Sequence, residues 1–112
     1  LEALKEQSHV VLPVRQSWAK QVYHLFVIRV STRDELKKYL YENGVETGIH
    51  YPVALPKLEA YGYLNQKNEE FFSNQSDKSL LSLPIGEHIS FEQVDLIVHL
   101  IQTFFDPNNN GI

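Results

Sequence analysis

Cysteine and methionine are both absent from the chain. Without cysteine there is no disulfide framework, no thiolate metal ligation and no thiol nucleophile, while every compartment stays open. The missing methionine, with Leu1 as first residue, leads us to expect a fragment or excised domain of a larger parent. Glycine is scarce, and none of the five falls in a GxxxxGK or GxGxxG pattern, so neither a P-loop nor a dinucleotide fingerprint is present. Positive charge is also in short supply. Ten Lys and Arg face 14 Asp and Glu for a net charge of −4, and Lys37-Lys38 is the only basic cluster. A phosphate-tracking nucleic-acid surface is therefore not expected. No apolar run approaches the ~20 residues of a membrane span. No basic n-region precedes an apolar stretch either, so no membrane partner and no signal peptide are expected, and the expected location is cytoplasmic. The histidines His9, His24, His50, His88 and His99 show no HxxxH or HExxH spacing, which removes the common zinc patterns.

What is present suffices for one folded domain. Hydrophobic residues make up 43% of 112 residues, with six Phe and six Tyr among them. Residues 1–9 read as the tail of a helix that starts upstream. Val10 to Val14 reads as a short strand, at a sheet edge or with a bulge, because Pro13 has no N–H for a ladder. Val22 to Val30 (VYHLFVIRV) is the clearest strand signal, apolar on both faces. Thr32 and Glu35 are spaced as a capping box for a helix carrying Leu36, Tyr39 and Leu40, which Asn43-Gly44 ends.

Val45 to His50 is expected to be a further strand, so that 22–50 reads as a β-α-β unit. A short helical stretch is expected around Leu58 to Tyr63. A second is expected over Asn68 to Lys78, anchored by Phe71 and Phe72. Leu80 to Leu83 reads as a strand stopped by Pro84. Ser90 and Gln93 form another capping box, for a helix with Val94, Ile97, Val98, Ile101, Phe104 and Phe105 on one face. Residues 106–112 read as a frayed terminus. The order β-β-α-β-α-α-β-α implies an α/β (α+β) domain, with a small mixed, largely antiparallel sheet and helices mainly on one face.

Few residues stand out as carriers of chemistry. His24, within the apolar strand, reads as a core or edge histidine satisfied by a hydrogen bond. Arg29, near the end of that strand, has the geometry to hold a carboxylate or phosphate, or simply to pair with a nearby Glu or Asp. His88 reads as a solvated turn residue. His50-Tyr51 is more suggestive, since side chains at a strand end can project into a cleft. Imidazole and phenol both donate and accept, which suits a polar, hydroxyl-rich ligand, and Pro52 and Pro56 stiffen the loop that carries them. The alternative is that Tyr51 packs on the short helix after Pro56 and His50 caps it.

Three stretches together carry a resemblance. FVIRV at 26–30, RDELKKYLYENGVETGIHYPVALPKLEAY at 33–61 and LLSLPIGEHISFEQVDLIVHLIQTFF at 80–105 resemble the C-terminal small domain of DegT-type sugar aminotransferases. These belong to the aspartate aminotransferase-like superfamily of fold type I, and the similarity covers residues 10–105. The resemblance implies a parent that uses pyridoxal phosphate to move an amino group, typically from glutamate, onto a nucleotide-linked keto-sugar. It also implies an active site between large and small domains at a homodimer interface. His50 and Tyr51 match the family's HYP stretch on the substrate side, and Arg29 matches a strand-end arginine.

Two departures stand out. Where the family commonly reads Pro-Leu-His, this chain has Ala54-Leu55-Pro56, so a second histidine is missing. None of its lysines sits in the Schiff-base motif, and the large domain is not represented. Residues 1–112 are thus expected to be one C-terminal small domain that binds no cofactor and is not catalytic alone. The alternative is a stand-alone regulatory or ligand- or protein-interaction module.

Overall fold

Alternation along Phe26–Val30 decides the architecture. The computed structural model of the chain describes residues 2–109. Three strands, β1 (Val10–Val11), β2 (Phe26–Val30) and β3 (Leu80–Leu83), form a sheet in that order with both pairings antiparallel. The register sets Val10 opposite Val30, Ile28 opposite Leu81 and Phe26 opposite Leu83. Side chains alternate between faces along a strand, and directly paired residues share a face. Those six therefore point one way, and all except the half-buried Phe26 lie in the buried core. Val11, Arg29, Leu80, Val27 and Ser82 share the other face.

Two helices close the first face. In α1 (Arg33–Glu42), Leu36 and Leu40 are one turn apart and fully buried. Gly44 at φ +80° takes the left-handed position that ends the helix, where a side chain would be strained, and the Val45 N–H bonds the Leu40 carbonyl at 2.8 Å. In α3 (Phe91–Phe104), Ser90 and Gln93 bond each other's backbone in the expected capping box. Ile97, Leu100 and Ile101 of α3 are buried, and Phe104 reaches the Tyr39 ring of α1 at 5.3 Å. The sheet and the helix-backed face thus agree with the fold class read from sequence. The edge position of β1 and the bounds of β3 agree as well.

Several local expectations are corrected. The strand expected at Val22 begins only at Phe26, because Tyr23 sits at φ +50° and bends the chain. His24 is consequently exposed and outside the strand. Thr32 does precede α1, but at φ −95° and ψ 45° rather than extended, and its side chain makes no capping bond. Val45 to His50 forms no strand. One antiparallel bridge joins Gly48 to Ser82, and Lys37 Nζ donates to the Thr47 carbonyl at 2.7 Å.

The two expected middle helices shrink. Leu55–Lys57 and Glu59–Leu64 are 3₁₀ turns, and α2 spans only Phe72–Ser76. Phe71 and Phe72 do not anchor it in the core, being 39% and 64% exposed. On α3, Leu100 rather than Val94 completes the buried stripe. At the start, Glu2–Leu4 is a 3₁₀ turn whose Leu4 is buried, and Leu1 lies outside the described residues. At the end, Pro107–Asn109 is also a 3₁₀ turn, while the fraying expected over 110–112 lies outside the described residues.

Candidate functional site

The sheet face away from α1 and α3 carries the candidate site. Arg29 and Leu80 are Cα partners on that face. The guanidinium carbon of Arg29 lies 4.8 Å from the centroid of the Phe72 ring, within cation–π range. Among the described residues Arg29 has no carboxylate at ion-pair distance, so the simple pairing with Glu or Asp is replaced by this stacking. Phe72 and Leu80 both line a cleft of about 620 Å³ whose other wall is the loop Tyr51, Pro52, Val53 and Ala54. The lining is mainly apolar, with Tyr51, Ser73, Ser76 and Asp77 as its polar groups.

His50 and Tyr51 stand at the entrance to this loop, joined by a cis peptide bond. Tyr51 is 74% exposed and lines the cleft, and the two rings meet edge-on at 5.7 Å. His50 does not cap the turn that follows. Its Nδ1 lies 2.9 Å from Ser82 Oγ, a hydrogen bond whose direction follows the imidazole tautomer, so the ring is tied back to β3. That position depends on Gly48, where an added Cβ would stand 2.5 Å from His50 Cε1. The structure thus brings Tyr51 and the Arg29-bearing Phe72 to one cleft, with His50 beside it rather than in it.

Sequence reasoning missed the polar centre beneath this loop. Asp77, directly after α2 and 5% exposed, accepts from the Ala54 N–H at 3.1 Å and from Lys57 Nζ at 3.0 and 2.9 Å. Lys57 Nζ also donates to the Asn74 carbonyl. The Lys57 ammonium bonded to it holds the Asp77 carboxyl below the usual aspartate range. Burial pulls the opposite way, and the Ala54 N–H adds to the lowering. Buried Arg33, at the start of α1, donates through Nη1 to the carbonyls of Asp77 (3.4 Å) and Leu80 (3.2 Å). Three segments of the chain, the start of α1, the Ala54–Lys57 loop and the end of α2, therefore meet at one carboxylate residue. The only sequence signal for it is the placement of charged residues next to apolar ones, which many solvated positions share.

The arrangement can bind and orient a ligand: an aromatic and aliphatic cleft floor, a phenol at the lip, and a guanidinium behind the Phe72 ring. It does not fit pyridoxal phosphate. A Schiff-base lysine must present a free amine, whereas Lys57 is ion-paired to Asp77 and Lys37 donates to the Thr47 carbonyl. The remaining lysines are exposed. Among the described residues no cluster of three or more His, Asp or Glu is arranged to hold a metal ion, and no helix is long and apolar enough to cross a membrane.

Comparison with known proteins identifies the chain's relatives. It is 38% identical over 96 residues to the erythromycin biosynthesis sensory transduction protein EryC1 of Saccharopolyspora erythraea, covering 85% of this chain and 26% of that protein. It is 34% identical over 93 residues to the dTDP-3-amino-3,6-dideoxy-alpha-D-galactopyranose transaminase of Aneurinibacillus thermoaerophilus, covering 83% and 25% respectively. Among solved structures, DesV of S. venezuelae in complex with a ketimine intermediate superposes with a TM-score of 0.84 at 30% identity, over 92% of this chain and 28% of that one. The chain spans about a quarter of the length of the curated relatives it matches. A model of the DegT/DnrJ/EryC1/StrS aminotransferase family matches residues 1–102, and the chain belongs to that family.

Proposed function

We propose that residues 1–112 are the C-terminal small domain of a sugar aminotransferase, and that the face bearing Tyr51, His50 and Arg29 forms the sugar-nucleotide side of its active-site cleft. Sugar aminotransferases of the family depend on pyridoxal phosphate. The cofactor would be held by parts of the protein other than this chain, with glutamate as amino donor and a homodimer as the working unit. The observation that carries the reading is the cleft itself. It lies on the sheet face left open by the helices, and it gathers Tyr51, Phe72 and, behind Phe72, Arg29. Relatives whose names specify dTDP-linked amino sugars support a dTDP-linked keto-sugar as the substrate class. Ala54 and Pro56 line or border the loop where the family pattern has a second histidine, which favours a divergent sugar.

The chemistry expected of these residues is binding. The phenol of Tyr51 can donate to or accept from sugar hydroxyls. The Ser82 bond fixes the His50 ring, so little conformational freedom is lost when a ligand arrives. In the complete gene product, supplied with pyridoxal phosphate, glutamate and a dTDP-linked keto-sugar, amino-sugar formation is expected. His50→Ala should raise KM for the sugar nucleotide and leave cofactor absorbance intact. Loss of the cofactor spectrum with unchanged sugar binding would contradict the assignment.

A second reading has one observation in its favour: the Saccharopolyspora erythraea relative carries the name of a sensory transduction protein. A regulatory module would bind the sugar nucleotide without turnover, and the same assay separates the two.

A further inference from the structure

We infer that Lys57 and Asp77 are a positioning pair for the ligand cleft: their ion pair clamps the 51–57 loop to the end of α2 and so sets where Tyr51 stands. The inference rests on the proposed sugar-nucleotide site, and it adds two residues outside the HYP stretch, of which Asp77 lies in the cleft wall. Three features carry it. The loop has no regular secondary structure before the turn at Leu55–Lys57, so its attachment to the rest of the fold relies on side-chain bonds. Asp77 supplies them at both ends of Ala54–Lys57, taking the Ala54 N–H at 3.1 Å and the Lys57 ammonium at 2.9 Å. Asp77 is in turn immobilised, since it is buried and its carbonyl is held by Arg33.

A pair left on the surface would contribute little. Here the Lys57 and Asp77 side chains are 25% and 7% exposed, so removing the cation strands a buried carboxylate and releases the loop. A loop that must be ordered on binding weakens the ligand's KM without slowing the chemistry.

The test uses the complete gene product with Lys57→Met, which keeps the aliphatic stem, and Lys57→Arg, which restores the charge. Amide hydrogen exchange at Ala54 reads the clamp without any ligand. Steady-state kinetics with dTDP-3-amino-3,6-dideoxy-α-D-galactose and saturating 2-oxoglutarate as amino acceptor, run in the direction of deamination with glutamate as the second product, read the cleft. Lys57→Met is expected to speed Ala54 exchange and raise KM about tenfold at unchanged kcat, with Lys57→Arg recovering most of both. Unchanged exchange at Ala54, or a fall in kcat at constant KM, overturns the inference. Faster exchange with an unaltered KM also overturns it, because the clamp would then be structural only. If exchange responds while the wild-type protein neither binds nor turns over the dTDP sugar, the clamp stands and the proposed substrate class fails.

Discussion

The two faces of the sheet are built on different physics. The face against α1 and α3 is held by burial: Ile28, Leu36, Leu40, Leu81 and Ile101 are all fully removed from solvent. The other face has few such contacts. It is organised by single polar bonds, His50 to Ser82 and Asp77 to Lys57 and Ala54, and by one cation–π contact, Arg29 on Phe72. Its large side chains, Tyr51, Leu55 and Phe72 among them, stay well exposed. The difference teaches where stability resides and why the proposed recognition would sit on the other face. A packed face tolerates little change in volume, whereas a face set by individual bonds can be retuned residue by residue.

That contrast can be broken most severely from the packed side. Ile101→Ala is expected to cost about 3 kcal/mol of unfolding free energy, since the cavity opens beneath the sheet. Denaturant titration checks this, and a loss below ~1 kcal/mol would mean that the helix-backed face is not the main source of stability.

The cleft side should respond to acid instead. Asp77 has a folded-state pKa below its unfolded value, so the unfolded chain binds the proton more readily and stability rises with pH across that window. The contribution is present above the ordinary aspartate value near ~4 and is lost as pH falls through the depressed one. Asp77→Asn should therefore flatten part of the acid limb of the stability curve, and an unaltered limb would count against the buried pair. The smallest effect belongs to Ser90→Ala, which removes the α3 cap for about 1 kcal/mol and should leave ligand binding on the opposite face unchanged.

Legibility in the sequence followed the range of the interaction. The Ser90–Gln93 box and the Gly44 stop involve near neighbours, and both were readable from the residues alone. Thr32–Glu35 has the same spacing as a box but fails because the backbone at Thr32 is not extended. The strand signal from Val22 ran too far, since apolar composition carries no mark of the positive φ at Tyr23. At the proposed site, His50 and Tyr51 are singled out by their chemistry and by the motif they complete. Lys57, Asp77 and Arg33 are not, because the bonds that build this centre join positions 17 to 47 residues apart and local pattern does not encode such pairs. Phe71 and Phe72 misled for a related reason: aromatic side chains are core builders on average, yet Phe72 serves an exposed cleft.

The central claim, that the face opposite the helices recognises the sugar nucleotide, is tested most directly by Tyr51→Ala in the complete gene product. KM for the dTDP-linked amino sugar and cofactor absorbance are measured on the same sample. An increase in KM of about tenfold with the absorbance intact is expected, a size typical of one well-placed binding side chain. An unchanged KM, or a loss of cofactor absorbance in its place, would contradict it.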